Sequence, residues 1–540
     1  MKKLLVITAC LCINLSFIMA QQGEGGSITL PDLKDDVKAL ENAPVIVPGP
    51  DLLSLPLPSI APPLPVEEEI RIPESLLTAT GQMEVWSQES QKDTYGEAVV
   101  GAFLWDGVSA HLSLYRPASN PAFTIQFTHE SQDGFAYHEA GSGFSYRETT
   151  LRGNFRGGTE GGVLWSLSAA FKDQSNGLQG QSMDFFSISH RYLSLSPNLR
   201  ISLGDFTVYS ELPMTSAALS LEGGQHPVLG DVRAQELGLM PVIGLEWGQD
   251  IWRVTLKGEY TFYGLINNPK AVSSPDRLTQ QGQLTLASVL DVSPAFQGGT
   301  SLGIGTNNAI AWYVPFALWF DAGLSDYLSV SVTGGLESKT QSLQELWQEN
   351  PYTDIGPVPQ ADVHWYALGT INLYPWNGMY LRLKTDWQSS YGGTGRVRIK
   401  DQSNADTRGL YSYETGPYKQ LHTQLELRNS WQYADATLGW SAQWLDRETG
   451  RAYELYGSFE YRDRTDRFGT VGSAAISFDG TGVDIPRFDM QSYVQIGTDI
   501  RILGDIQDLF VAFRGTEGRS FWKPYLERGF QAGLRLQFSL

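Results

Sequence analysis

Cysteine is nearly absent from this chain of 540 residues, with Cys10 and Cys12 its only two. Both fall in the first twenty residues, inside an apolar stretch that reads as a leader. The rest of the chain is therefore expected to carry no disulfide framework and no thiolate metal site. Charge is scarce too, at 18% of residues, and positive charge is scarcer: 39 Lys and Arg stand against 59 Asp and Glu, a formal net charge of -20. That balance excludes nucleic acid as an expected partner. Beyond the leader, no run approaches the ~18 consecutive apolar residues that a spanning helix needs. His111, His129, His138, His190, His226, His364 and His422 show no metal-ligand spacing. His364 and His422 lie on polar faces of alternating runs, where a solvated role is expected. Gly298-Gly299 and Gly303-Ile304-Gly305 are followed by neither Lys-Ser nor a helix, so neither is a phosphate loop. No nucleophile motif occurs, and the acidic residues are scattered. The chain is read as a non-enzyme, with no catalytic, cofactor-binding or metal-binding residues.

What is present begins with a leader. Residues 1–20 carry Lys2 and Lys3, an apolar run from Leu4, and Ile18-Met19-Ala20 before Gln21, which reads as a signal peptide cleaved after Ala20. Ile7-Thr8-Ala9-Cys10 offers a lipobox as the alternative, after a very short apolar run. Residues 21–77 form a second region, with ten prolines from Pro31 to Pro73. Proline removes backbone donors and favours extended chain, so a semi-rigid periplasmic spacer is expected. Leu33, Val37 and Leu40 stand at helical spacing, which allows one short helix. Glu67, Glu68 and Glu69 add an acidic run.

From residue 78 to 540 the pattern is repeated alternation. Trp252, Val254, Leu256, Gly258, Tyr260 and Phe262 share one face of a strand, and Arg253, Thr255, Lys257, Glu259 and Thr261 the other. Met379, Leu381, Leu383, Thr385 and Trp387 likewise oppose Tyr380, Arg382, Lys384, Asp386 and Gln388. The stretches 163–172, 421–431, 436–444 and 453–462 repeat this, the second placing Glu426 and Arg428 on its polar face. Roughly two dozen such runs of about ten residues suit a membrane barrel of about 22–24 strands. The candidate lumen-facing residues are Arg253, Lys257, Glu259, Arg382, Asp386, Glu426, Arg428 and Arg535.

The connections agree. Asp106-Gly107 and Asn377-Gly378 are tight hairpin signals. In the second half, short turns at 375–378, 432–435, 464–466 and 503–505 alternate with long loops at 338–360, 389–419, 480–487 and 515–523. Only 447–451 is short on the long-loop side. Short turns are expected in the periplasm and long loops outside. The first half is less regular. Trp247, Trp252, Trp376, Trp431 and Tyr433 fall near strand ends, as aromatic girdles do.

The chain closes with Phe530, Ala532, Leu534, Leu536, Phe538 and Leu540 on one face, and Gln531, Gly533, Arg535, Gln537 and Ser539 on the other. This resembles the closing strand of outer-membrane barrels, with Gly533, Leu536 and Phe538 matching the signal read by the barrel assembly machinery. The final residue is Leu540 rather than an aromatic. Residues 502–540 further resemble the closing hairpin of TonB-dependent receptors, through Asp508-Leu509-Phe510 and then Pro524-Tyr525-Leu526-Glu527-Arg528-Gly529-Phe530. Asp replaces that family's Asn, and Arg-Gly its Gly-Arg. Ala43-Pro44-Val45-Ile46-Val47 faintly resembles the box that meets the energising protein, although a linker apolar cluster explains it as well. The family's N-terminal plug domain has no counterpart in residues 21–77, which are too few and too rich in proline.

The expected protein is all-β: a large antiparallel transmembrane barrel preceded by a Pro-rich segment, in the outer membrane of a diderm bacterium. The resemblance implies passage of a solute. A passive porin and a non-transport surface-binding or structural barrel stand beside it. Expected partners are outer-membrane lipid, the barrel assembly machinery, and a separate plug or periplasmic energising protein. Either that second protein or residues 21–77 should occlude a lumen that conducts ions strongly when open.

Overall fold

The computed structural model describes residues 94–539, apart from 105, 136–137, 160–161, 224–231, 250, 268–277, 294, 355–360, 400–404, 406–407, 446–451, 479–481, 514–518 and 521–523. The leader, the Pro-rich segment, the boundary at residue 78, the 447–451 connection and Leu540 lie outside the described residues.

Alternating sequence becomes one large antiparallel sheet whose neighbours in sequence are neighbours in space, and a separate two-stranded sheet pairs Arg396–Ile399 with Tyr413–Gly416. The first strand, Tyr95–Phe103, pairs with the second, Gly107–Arg116, and also with the last, Gln531–Ser539. In the closing pair Glu97 faces Ser539 and Phe103 faces Gly533. The sheet is thus a barrel with no free edge, which satisfies backbone groups that hydrocarbon could not.

The barrel has 22 strands. Two of them are interrupted by proline without a change of register. Phe206–Glu211 continues as Met214–Glu222 across Pro213, and Val232–Leu239 continues as Val242–Gln249 across Pro241. Pro197 lies in the adjacent strand, Ser187–Leu203. The amide of Leu212 donates to Pro197 O (3.0 Å), that of Met240 to Pro213 O (2.9 Å) and that of Tyr260 to Pro241 O (3.0 Å). Each is an antiparallel pair that should exchange two bonds, and proline has no N–H to return the second. Three rungs are therefore missing in neighbouring strands.

Connections sort by end along the whole wall. At one end they are short: 204–205, 326–327, 377–378 and 431–433 lie between successive strands. At the other they are long, including 134–144, 178–186, 341–360, 391–418 and 508–530. The first half keeps this parity as strictly as the second, apart from the three-residue turn at 104–106. Gly378 takes φ +87° in the turn that its sequence announced. The turn expected at 503–505 is wrong. Leu503, Gly504 and Asp505 sit inside the strand Ile500–Gln507, and the chain turns at 496–499, where Gly497 has φ +82°. Gly504 faces Leu534 across the pair, so its missing Cβ leaves space beside that side chain rather than a bend.

Apolar side chains cover the outside. Leu534 is 67% exposed and Leu536 41%, and Trp252, Leu256 and Tyr260 are exposed on the strand Trp252–Asn267. A contiguous band of this size suits hydrocarbon rather than water. Trp376, Trp431, Trp252, Phe206 and Tyr327 lie exposed around the short-turn end. The opposite face of the sheet carries ion pairs. Arg535 binds Asp505 through Nε at 2.7 Å, and the Asp505 side chain is 1% exposed. Removing one member of so buried a pair strands the other charge. Asp505→Ala should therefore cost about 3–5 kcal/mol, while Asp505→Leu combined with Arg535→Met should cost far less. The temperature at which the heat-modifiable band converts on a gel measures both.

Candidate functional site

The sequence-chosen inner residues are dispersed around the wall instead of meeting. Arg253 contacts Asp291 at 3.3 Å and Glu246 at 3.9 Å, and Lys257 contacts Glu259 at 3.0 Å. Arg382 donates to Asn372 Oδ1 at 3.1 Å and lies over the Tyr380 ring. Asp386 accepts from the Gln388 amide and faces His422 across the strand pair. Glu426 accepts the Tyr380 hydroxyl at 2.6 Å, and Arg428 reaches Asp435 at 3.5 Å. These are local pairs on the face opposite the apolar band. In the closing strand, Gly533 lies opposite Asp505 and Phe103, and Phe538 opposite Ile500 and Ala98.

The residues that do converge come from the long connections. The helix Leu343–Glu349 lies between the strands Leu328–Thr340 and Ala361–Trp376. Its start was readable: Ser342 accepts from the Glu345 amide, and the Glu345 side chain accepts from the Ser342 amide, a capping box. Glu236, from the wall, also accepts the Leu343 amide at 2.9 Å. That bond ties the helix to the strand Val232–Leu239.

Leu343, Leu346 and Trp347 of this helix are buried in one apolar core with Leu178, Phe185, Tyr352, Leu410, Tyr411 and Tyr525. Four separate connections supply those residues. The wall supplies the rest from its inner face, including Ile188, Tyr192, Leu219, Leu221 and Leu265. Tyr352 and Tyr525 stack at 3.6 Å with an interplanar angle of 1°, and Tyr411 meets Tyr525 edge-on. Burial pushes the Tyr352 phenol up, and neighbouring Tyr411 adds to this, so it stays neutral.

Polar bonds sew the same loops together. The Gln179 amide donates to Leu526 O (2.9 Å) and accepts from the Leu526 amide (2.8 Å). Arg408 meets Asp354 at 2.6 Å, and the Asp354 amide donates to Tyr411 O at 2.8 Å. Arg519, itself nearly buried, binds Asp508 at 2.7 Å. Burial would lower its pKa, but hydrogen bonds to Asp508 and the charges of Asp508, Glu527 and Asp484 outweigh that and raise it. Arg528 pairs with Glu130 and lies 4.1 Å from the Tyr146 ring centroid.

The result is a folded cap at the long-loop mouth. Sequence reasoning missed it, though Asp508, Tyr525 and Arg528 had been singled out in the closing hairpin. The available signal was aromatic: Trp347, Tyr352, Tyr411 and Tyr525 are large side chains in long connections outside the alternating runs. One feature of the cap is costly. Among the described residues, His190 is fully buried with neither ring nitrogen bonded, and the Tyr192 hydroxyl and the Trp347 indole N–H also lack partners. The His190 ring lies 5.5 Å from that of Trp347.

No protein-family model and no curated protein sequence matches this chain. Solved structures do. The ferric enterobactin receptor PfeA in complex with BCV-L6 aligns with TM-score 0.63 at 12% identity, over 84% of this chain and 82% of that one. The siderophore receptor PirA from Acinetobacter baumannii gives 0.61 at 10%, over 84% and 81%. The FrpB iron transporter from Neisseria meningitidis gives 0.63 at 10%, over 84% and 82%. At such identities the likeness is one of fold, and the fold is the 22-strand barrel of TonB-dependent siderophore receptors.

Proposed function

We propose that this chain is an outer-membrane barrel that takes up a solute, with its long-loop end outside and its N-terminal segment in the periplasm. The observation that carries this is the folded cap over one mouth of a closed 22-strand wall. A lumen that wide needs control of what enters. A passive porin gains nothing from a mouth built over by loops, so the cap favours regulated uptake. Proteins of this fold are named for ferric enterobactin, siderophores and iron, and a metal-chelate solute is the corresponding reading here. Outer-membrane lipid covers the apolar band, the assembly machinery takes the closing strand, and a periplasmic energising protein or separate plug completes the device.

Sidedness is tested with epitope tags. Met183 is 81% exposed in the 178–186 connection, whereas Gln348 lies on the capped helix and is a poor place for a tag. A tag at Met183 or Asn404 should be reachable on intact cells, and one at Leu57 only after the outer membrane is opened. The reverse pattern would sink the orientation. Uptake is tested by whether cells lacking the protein lose growth on ferric siderophores as their sole iron source.

A further inference from the structure

The inner wall contains an unusual strip on the strand Ser145–Gly158. Of the other arginines of the inner face, Arg200, Arg253, Arg428, Arg462, Arg487, Arg501 and Arg535 each contact a carboxylate, and Arg382 donates to Asn372. Arg152 and Arg156 are exposed on the same face, and among the described residues neither has an ion-pair partner. The positions beside them are uncharged. Ala170 lies opposite Arg152, and Ser168 and Ser166 lie opposite Asn154 and Arg156. On the other side are Gln126, Thr124 and Ala122. Two guanidinium groups thus stand clear of the wall, with room around them.

The chain enters the barrel beside this strip. Tyr95, the first residue of the wall, pairs with Tyr115, Tyr115 with Thr124, and Thr124 with Asn154. That row passes between Arg152 and Arg156. Three strand spacings of ~4.8 Å separate Tyr95 from Asn154, or ~14 Å in all. Upstream of Tyr95, the acidic run Glu67-Glu68-Glu69 ends twenty-six residues away. A chain of that length spans at most ~90 Å, so the run easily reaches the strip. A tethered ligand also binds at an effective concentration in the millimolar range, so two or three charge pairs suffice.

We propose that the strip around Arg152 and Arg156 is the docking surface for Glu67-Glu68-Glu69 of the same chain. Carboxylates meet guanidinium groups in fork geometry, and serine, threonine and asparagine side chains flank the backbone. The inference depends on the barrel wall alone and does not depend on what the barrel transports.

The test uses the leaderless chain, which has no native cysteine, folded in detergent and checked by heat-modifiability. Glu68→Cys is combined with Ser166→Cys on the strip, or with Ser441→Cys on a distant part of the inner face. Oxidation should cross-link the first pair at least tenfold faster than the second, and 1 M salt should abolish the difference. Arg152→Glu with Arg156→Glu should slow the Ser166 cross-link at least tenfold, and adding Glu67→Lys with Glu69→Lys should restore it. Equal rates to Ser166 and Ser441, or indifference to charge reversal, would overturn the proposal. So would protection of Ser166→Cys by an added acidic peptide without any internal cross-link, which would assign the strip to an external ligand. Loss of uptake with the cross-linking pattern intact would count against the transport reading alone.

Discussion

Trp347→Ala should release the cap. Its indole is fully buried, yet its N–H has no acceptor, so packing alone holds it. Truncating a buried tryptophan costs ~3–5 kcal/mol. That cost falls on the cap rather than on the barrel, because helix and wall meet through this core and the Glu236 bond. A shift of that size raises the open fraction by about two to four orders of magnitude. In planar bilayers the variant should conduct more than the parent chain, and protease should cut within 341–354. Met183→Ala, at an exposed site outside the core, should change neither. Unchanged conductance with a protease-resistant loop would mean that the stacked Tyr352–Tyr525 pair and the Asp354–Arg408 bond suffice without Trp347.

Leu536→Asp with Phe538→Asp should abolish assembly. Both positions share the apolar face of the closing strand, and Leu536 is exposed where lipid would cover it. Charge on that face is destabilising, though an Asp costs less than the ~2–4 kcal/mol of a Lys or Arg at the midplane, and less again toward the interface where Phe538 lies opposite Ile500. The same two residues, with Gly533, form the expected assembly signal, so the variant is damaged in recognition as well as in stability. It should accumulate unfolded, without a heat-modifiable band. Normal insertion would count heavily against a membrane barrel. Gln537→Ser, on the opposite face of the same strand, is the control that should still assemble.

The sequence carried the barrel because lipid imposes one rule on many strands. Trp252, Leu256 and Tyr260 share the exposed apolar face, and Arg253 and Lys257 the opposite one, with no exception for ten residues. The first half was harder to read for a reason visible in the strand Ser187–Leu203. Below Tyr192 its apolar residues are Leu193, Leu195, Leu199, Ile201 and Leu203, all on the lipid side. Above that point they are Ile188 and Tyr192, which point inward to the cap. The alternation reverses phase where the strand leaves the membrane and its inner face becomes part of a core. Leu219 and Leu221, and further on Leu265, do the same. A reader who expects one phase per strand sees only noise there. The cap itself was illegible because its core joins residues from 178 to 525, and no local period links them. Only the capping box at Ser342 and Glu345 announced its helix.

Pro197, Pro213 and Pro241 give the wall a preferred line of failure. Each missing rung forgoes about 1 kcal/mol, and the three lie side by side rather than scattered. Under a pulling force or a swelling lumen, strain should concentrate there, as a tear follows perforations in paper. Amides flanking that line should exchange with solvent deuterium well before those of the unbroken strands opposite.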